Sequence, residues 1–148
     1  GGRGVTYCGI DPGKTGAVAF LSGNELTTVP LPYDGNRLDP LGLLAILREH
    51  KPDYVIVEEQ QYSPVNGRSN ATTFLNYGQI MAVCLIYGAS TEFVPAAKWT
   101  ISNKGADKKA PRLIKAKALW PSNDFKKSDD GHVDAALLAR YGQLRERQ

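Results

Sequence analysis

Asp11 closes a β-branched, aromatic run, Val5 to Asp11, and Pro12-Gly13 follows at once, so its carboxylate stands at the end of a strand over the sheet edge. Glu58 closes a second such run, Tyr54 to Val57, and a charge directly after a buried strand needs water, a cation or a metal. Glu59 comes next and, by strand alternation, faces the other way. The third acidic group is Ser128-Asp129-Asp130-Gly131-His132-Val133-Asp134, at the start of a C-terminal helix. At ~100° per residue Asp130 and Asp134 lie ~40° apart, in one broad stripe with Val133, Leu137, Tyr141 and Leu144. His132 points roughly opposite, and Asp129 lies about 100° from Asp130. A helix cap explains one acid at this terminus. It does not explain Asp134 on the apolar face.

Asp11, Glu58, Asp130 and Asp134 can therefore converge. Four crowded carboxylates repel one another unless divalent cations neutralise them. An all-oxygen donor set suits magnesium, with manganese as its substitute, and not zinc. Two such ions ~4 Å apart can activate water and stabilise the leaving oxygen of a phosphodiester. The sequence holds no Cys/His cluster to make a rival metal site.

The elements that must position these acids follow from periodicity and turn signals. Val5 to Asp11, Ala17 to Leu21 and Leu26 to Leu31 read as three strands joined by short turns, one of them Ser22-Gly23-Asn24, hence an antiparallel meander. A helix follows over Pro40 to His50, capped by Asp39, with Leu43, Leu44 and Leu47 as its stripe. Tyr54 to Val57 reads as a strand buried on both faces, and Glu59 to Asn70 as a long polar loop. Thr73 to Tyr87 is a helix apolar nearly all round, either deep in a core or covered by a partner. Gly78 in its middle costs helix stability and points to close approach of another backbone. A short strand (Thr91 to Val94), a polar loop (Ser102 to Asp107), a basic helix ending at Trp120, a loop to Lys127 and a last helix from Asp130 to Arg145 complete the chain. The expected fold is α/β: a five-stranded mixed sheet, three strands antiparallel and the rest parallel, flanked by helices.

At 148 residues the chain fits one domain, 1–148, with Gly1-Gly2 set aside as an expression remnant. With 42% hydrophobic residues it can build a core, and no apolar run is long enough to cross a bilayer. Cys8 and Cys84 sit in apolar runs and read as buried free thiols of a reducing compartment. The net charge is only +3, but from Lys98 to Lys127 nine Lys/Arg face two acids, leaving nine cations against thirteen acids elsewhere. A basic segment beside an acidic body suits a polyanionic partner, though a solvated helix face would look the same.

Gly9-Ile10-Asp11-Pro12-Gly13, then Pro52-Asp53-Tyr54-Val55-Ile56-Val57-Glu58, then Asp130-Gly131-His132-Val133-Asp134-Ala135 resemble the RuvC family of Holliday junction resolvases, within the ribonuclease H-like superfamily and nearest its phage-type and chloroplast-type branches. Tyr77-Gly78-Gln79 and Val94-Pro95-Ala96-Ala97-Lys98-Trp99 resemble further family segments. The resemblance implies a homodimer with two magnesium ions per active site and paired nicks across a four-way junction, and the uniformly apolar Thr73–Tyr87 helix is the expected two-fold interface. It carries the metal ligands to Asp11, Glu58, Asp130 and Asp134. Bacterial members space the last two ligands by three, which would fall on Gly131; the spacing of four here leaves His132 or Asp129 as a substitute for Asp130. Lys98 and Lys108 resemble basic residues that act near the scissile phosphate, either catalytic or positional. Tyr62, the only aromatic of the loop after Glu58, is placed to stack on a base. Arg68, Lys98, Lys104, Lys108, Lys109, Arg112, Lys115 and Lys117 complete the expected DNA contacts. The alternatives within this fold are a less selective flap or branched-DNA nuclease and a non-catalytic junction-binding dimer. An actin- or sugar-kinase-like ATPase, which shares a Gly-x-Asp-x-Gly loop, needs a second phosphate loop and about twice this length. The matching location is the cytoplasm or nucleoid of a phage or bacterial system, or an organelle if a targeting segment has been removed.

Overall fold

The computed structural model describes residues 4–60, 67–103 and 108–146, with the side chains of 67–70 and 101–102 outside the description. Strands β1 (Thr6–Asp11), β2 (Ala17–Ser22) and β3 (Glu25–Pro30) form the expected meander, with Asp11 opposite Ala17 and Ser22 opposite Glu25. Gly23, at φ +59°, supplies the left-handed residue that the β2–β3 turn needs. A two-residue hairpin follows, β4 (Tyr33–Asp34) with β5 (Arg37–Leu38), and then α1 (Pro40–His50), capped as expected by Asp39 on the Gly42 amide. Strand β6 (Tyr54–Glu58) runs parallel to β1, α2 spans Gly67–Tyr87, and β7 (Ser90–Val94) runs parallel to β6. Helices α3 (Ala96–Ser102) and α4 (Lys109–Leu119), a 3-10 turn over Pro121–Asn123, and α5 (Asp130–Glu146) end the chain. The main sheet has the order β3-β2-β1-β6-β7.

Strand alternation divides the core between the two faces of this sheet. Cys8, Ile10, Val18, Phe20, Val55 and Val57 pack with Leu43 and Leu47 of α1 and Ile80, Val83 and Cys84 of α2. Tyr7, Ala17, Ala19, Leu21 and Ile56 pack on the other face with α5, Trp99 of α3 and Ala116 of α4. Both cysteines are buried and free, and burial raises both thiols, Cys84 to about 12. Helix α5 lies close on the strands because small residues meet there: a Cβ on Gly9 would sit 2.0 Å from the Ala135 carbonyl oxygen.

The structure departs from the sequence reading in four places. Helix α2 starts at Gly67, inside the expected loop Glu59–Asn70, because propensity is a weak prior against the tertiary contacts that hold the rest of the helix. The β4–β5 hairpin is too short to show a period. It is tied to α2 by buried Asn76, which accepts from the Leu38 amide (3.0 Å) and donates to the Asn36 carbonyl (2.9 Å). The segment between β7 and the loop expected from Ser102, to which the sequence reading gives no element, is helix α3, held by buried Trp99. Gly78 is exposed, and a Cβ there would meet nothing within 4 Å among the described residues, so the expected close approach does not occur among them.

Candidate active site

Asp11 sits where β1 ends and the chain turns through Pro12-Gly13. Its Oδ1 accepts from the Gly13 amide at 3.0 Å, while the Gly13 carbonyl accepts from the Gly16 amide (2.9 Å) and the Tyr33 hydroxyl (2.5 Å). The hairpin that sequence could not show thus braces the loop carrying the first acid. Glu58 sits at the parallel end of β6, and its Oε2 accepts from the indole N–H of fully buried Trp99 at 3.0 Å. Asp130 and Asp134 open α5. Lys109 Nζ lies 3.0 Å from Asp130 Oδ2, and Arg112 NH1 lies 3.3 Å from both oxygens of Asp134.

The four acids differ in how their surroundings shift them, and Asp134 feels the charge of the other three. Burial raises Asp11, against the Gly13 amide, and the Asp130 charge raises it further. Burial also raises Glu58, with Asp11 adding to the shift and the Trp99 hydrogen bond opposing it. Asp134 is pushed up to about 7: burial comes first, Arg112 opposes it, and Asp11, Glu58 and Asp130 all add. Asp130, the most open of the four, is lowered by its bond to Lys109. Burial, with neighbouring acid charge added to it, holds protons on Asp11, Glu58 and Asp134, and a divalent cation would relieve both. Among the described residues no three acidic, imidazole or thiol groups are close enough to grip an ion as they stand. Two of the four acids are instead satisfied by cations from α4. The all-oxygen donor set suits a hard metal, which Asp11, Glu58, Asp130 and Asp134 would hold. Magnesium bound there would supply Lewis acidity for phosphodiester hydrolysis.

Position 131 has no room for a side chain. A Cβ on Gly131 would lie 1.9 Å from the Thr15 carbonyl oxygen, so the first turn of α5 runs against the β1–β2 loop and admits no side chain three before Asp134. Position 130 carries the acid instead. The two substitutes have other partners: His132 Nδ1 lies 2.9 Å from Thr28 Oγ1 on β3, and Asp129 accepts from the Lys126 amide at 2.8 Å.

Of the expected cations, Lys109 and Arg112 reach the acids. Lys98, on α3, and Lys108, at the N-cap of α4, are exposed, as is Lys117; Lys115, also on α4, is half-buried. Tyr62, Lys104 and the side chain of Arg68 lie outside the described residues. A cleft of about 650 Å³ opens beside Asp130 and Asp134, lined by Leu113, Ile114 and Val133 together with Lys109, Lys126 and Lys127. Sequence reasoning missed the roles of Trp99 and Tyr33. The one available signal was a Trp just past a strand end, since a buried indole N–H normally finds an acceptor.

No protein-family model and no curated sequence matches this chain. Solved structures do. Thermus thermophilus RuvC in complex with a Holliday junction substrate superposes with a TM-score of 0.71 at 12% identity, covering 95% of this chain and 96% of that one. A second Thermus thermophilus RuvC structure gives 0.68 at 14% identity, covering 96% and 97%. The yeast mitochondrial Holliday junction resolvase Ydc2 gives 0.60 at 15% identity, covering 98% and 83%. At such identities the likeness establishes the fold: a RuvC-like, ribonuclease H-like sheet and helix arrangement.

Proposed function

We propose that this chain is a magnesium-dependent endonuclease that resolves four-way DNA junctions by paired nicks, working as a homodimer. The observation that carries the reading is that Asp11 and Glu58, at the ends of β1 and β6, meet Asp130 and Asp134, in the first turns of α5, closely enough for their charges to act on Asp134 in a RuvC-like fold. In this reading the four acids hold two metal ions, Mn2+ substituting for Mg2+, and Asp130 is the fourth ligand in preference to His132 or Asp129. The basic segment from Lys98 to Lys127 tracks phosphates, and Lys98 or Lys108 meets the scissile one.

Assembly through α2 is favoured by its outer face. Leu75, Met81, Leu85 and Ile86 are exposed around the open surface of Gly78, with Leu85 83% and Ile86 66% accessible. A two-fold axis there would match the symmetry of a four-way junction and present two sites to opposed strands.

The test is a panel of labelled four-way, three-way, flap and linear DNAs with Mg2+, run with the native chain and with Asp11→Asn. Symmetric paired nicks in the four-way junction, reduced about 10³-fold or more by Asp11→Asn with junction binding retained, are expected. Equal cutting of flaps and forks would favour the less selective nuclease. Binding without cleavage would favour a junction-binding dimer.

A further inference from the structure

Arg112 occupies an unusual position for a residue of a DNA-tracking helix. Its side chain is only 15% exposed, and that of its partner Asp134 16%. The guanidinium meets both oxygens of Asp134 at 3.3 Å, its Nε donates to the Lys108 carbonyl at 3.2 Å, and it lies 5.4 Å over the Trp99 ring. The same indole donates to Glu58. Arg112 and Trp99 together therefore engage one acid from α5 and one from β6. Lys109–Asp130 is a different kind of pair, its lysine 75% exposed and worth little in water.

We propose that Arg112 is an internal counter-ion, which holds Asp134 in the metal-free protein and must release it before a divalent cation can bind. The inference rests on the two-metal reading above. The oxygen lone pairs that accept from a guanidinium are then not free for a hard cation, and the guanidinium repels that cation at close range. A stacked, hydrogen-bonded arginine does not swing aside without a better partner. DNA brings one: a phosphate reaching the exposed first turn of α4, where Lys108 and Lys109 already stand, offers Arg112 a bidentate acceptor. Metal and DNA then bind with positive coupling, and the coupling is reciprocal. The free enzyme holds its metal weakly, which protects any DNA that is not properly seated.

Mn2+ binding, followed by the EPR signal of free Mn2+ at alkaline pH, tests this apart from cleavage. Native protein is titrated alone and with the nicked duplex product, which cannot be cut again, and the same is done for Arg112→Met and Lys109→Met. The native chain is expected to bind Mn2+ about tenfold or more tightly with product than alone. Arg112→Met should bind it at least about tenfold more tightly than the native chain without DNA and gain little from product, because its coupling is gone. Lys109→Met should move DNA-free affinity less than about threefold, as an exposed pair does. Loss of a merely structural contact would weaken metal binding; this variant should strengthen it. If Arg112→Met does not fold, Arg112→Lys, which keeps the charge but loses the fork, must still bind DNA-free Mn2+ more tightly than the native chain. Unchanged or weaker DNA-free binding in the folded variant overturns the counter-ion role and leaves the two-metal site standing. Absence of Asp11-dependent Mn2+ binding in every protein, with and without product, overturns the two-metal reading and this inference with it.

Discussion

Helices α2 and α5, of 21 and 17 residues, are the two longest of the described chain, and they meet their surroundings in opposite ways. Helix α5 is walled in by its own chain, with β1, β2, β3 and β6 on one side and α3 and α4 on the other. Val133, the run from Ala135 to Ala139, Tyr141, Gly142 and Gln143 are all buried. Helix α2 buries Asn76, Ile80, Val83 and Cys84 against α1 and the sheet and leaves Leu75, Met81, Leu85 and Ile86 open. A helix apolar on most of its circumference must be covered on most of it, but the pattern does not say by what. In α5 the cover is intramolecular, and it fixes Asp130 and Asp134 against the strand ends. In α2 the described residues leave the outer face, with Leu85 and Ile86, uncovered.

The sharpest way to break this contrast is to disturb the seat of α5. Gly131→Ala forces a Cβ into the Thr15 carbonyl, which is backbone and cannot rotate away. The start of α5 must shift, and a cost of about 2–3 kcal/mol in denaturant unfolding is expected, with cleavage impaired because Asp130 and Asp134 move too. A variant as stable and as active as the native chain would mean that α5 is not tightly seated. The corresponding disturbance of α2 is Leu85→Glu, at a side chain 83% exposed. Monomer stability should change within about 0.5 kcal/mol. If the face is an interface, dimer dissociation should rise about 100-fold, read by light scattering across a concentration series. A native chain that is monomeric at every concentration sinks the assembly.

The same contrast marks how far the sequence could be read. The meander, α1, the parallel strands and the phase of Asp130 and Asp134 were legible, because period and turn chemistry are local. Trp99 as the donor to Glu58, and Arg112 as the partner of Asp134, were not: those contacts join residues 41 and 22 positions apart. Tyr33 sits in a two-residue strand, too short to carry a pattern. Gly78 looked like a contact glycine, and only the packing shows that nothing among the described residues touches it. The lack of room for a side chain at position 131 likewise depends on a loop 116 residues earlier in the chain, at Thr15.

A pH series sharpens the contrast from the side of α5. Asp134 is raised from the ordinary 3.8 to about 7, so the folded state holds its proton more tightly than the unfolded chain does. Its contribution to stability is therefore complete below about 3.8 and is lost as pH rises to about 7. Burial raises Asp11 and Glu58 in the same direction. Across that window metal-free protein should lose about 1–2 kcal/mol, with water in the cleft screening part of the full linkage. Mg2+ should restore more stability above pH 7 than near pH 5, because binding then displaces no proton. Asp134→Asn should flatten the slope, and an unaltered slope in that variant would assign it to other groups.

The smallest expected effect separates the two helices most cleanly, because it uses the counterpart of Gly131. Gly78→Ala places a methyl group where the described residues offer nothing within 4 Å. In the isolated monomer that substitution can only help: alanine restricts the unfolded chain and suits a helix interior, for a gain of about 0.5–1 kcal/mol. At a two-fold interface the result depends on distance between the helices. If two copies of α2 cross with their backbones close at Gly78, the new methyl groups meet, and the dimer should weaken even as the monomer stabilises. Thermal melts at low and high protein concentration distinguish these cases. A rise in Tm at low concentration that shrinks or reverses at high concentration places Gly78 at the crossing point. The same rise at both concentrations, in a chain that still dimerises, moves the crossing toward Leu85 and Ile86 and makes Gly78 an ordinary exposed glycine.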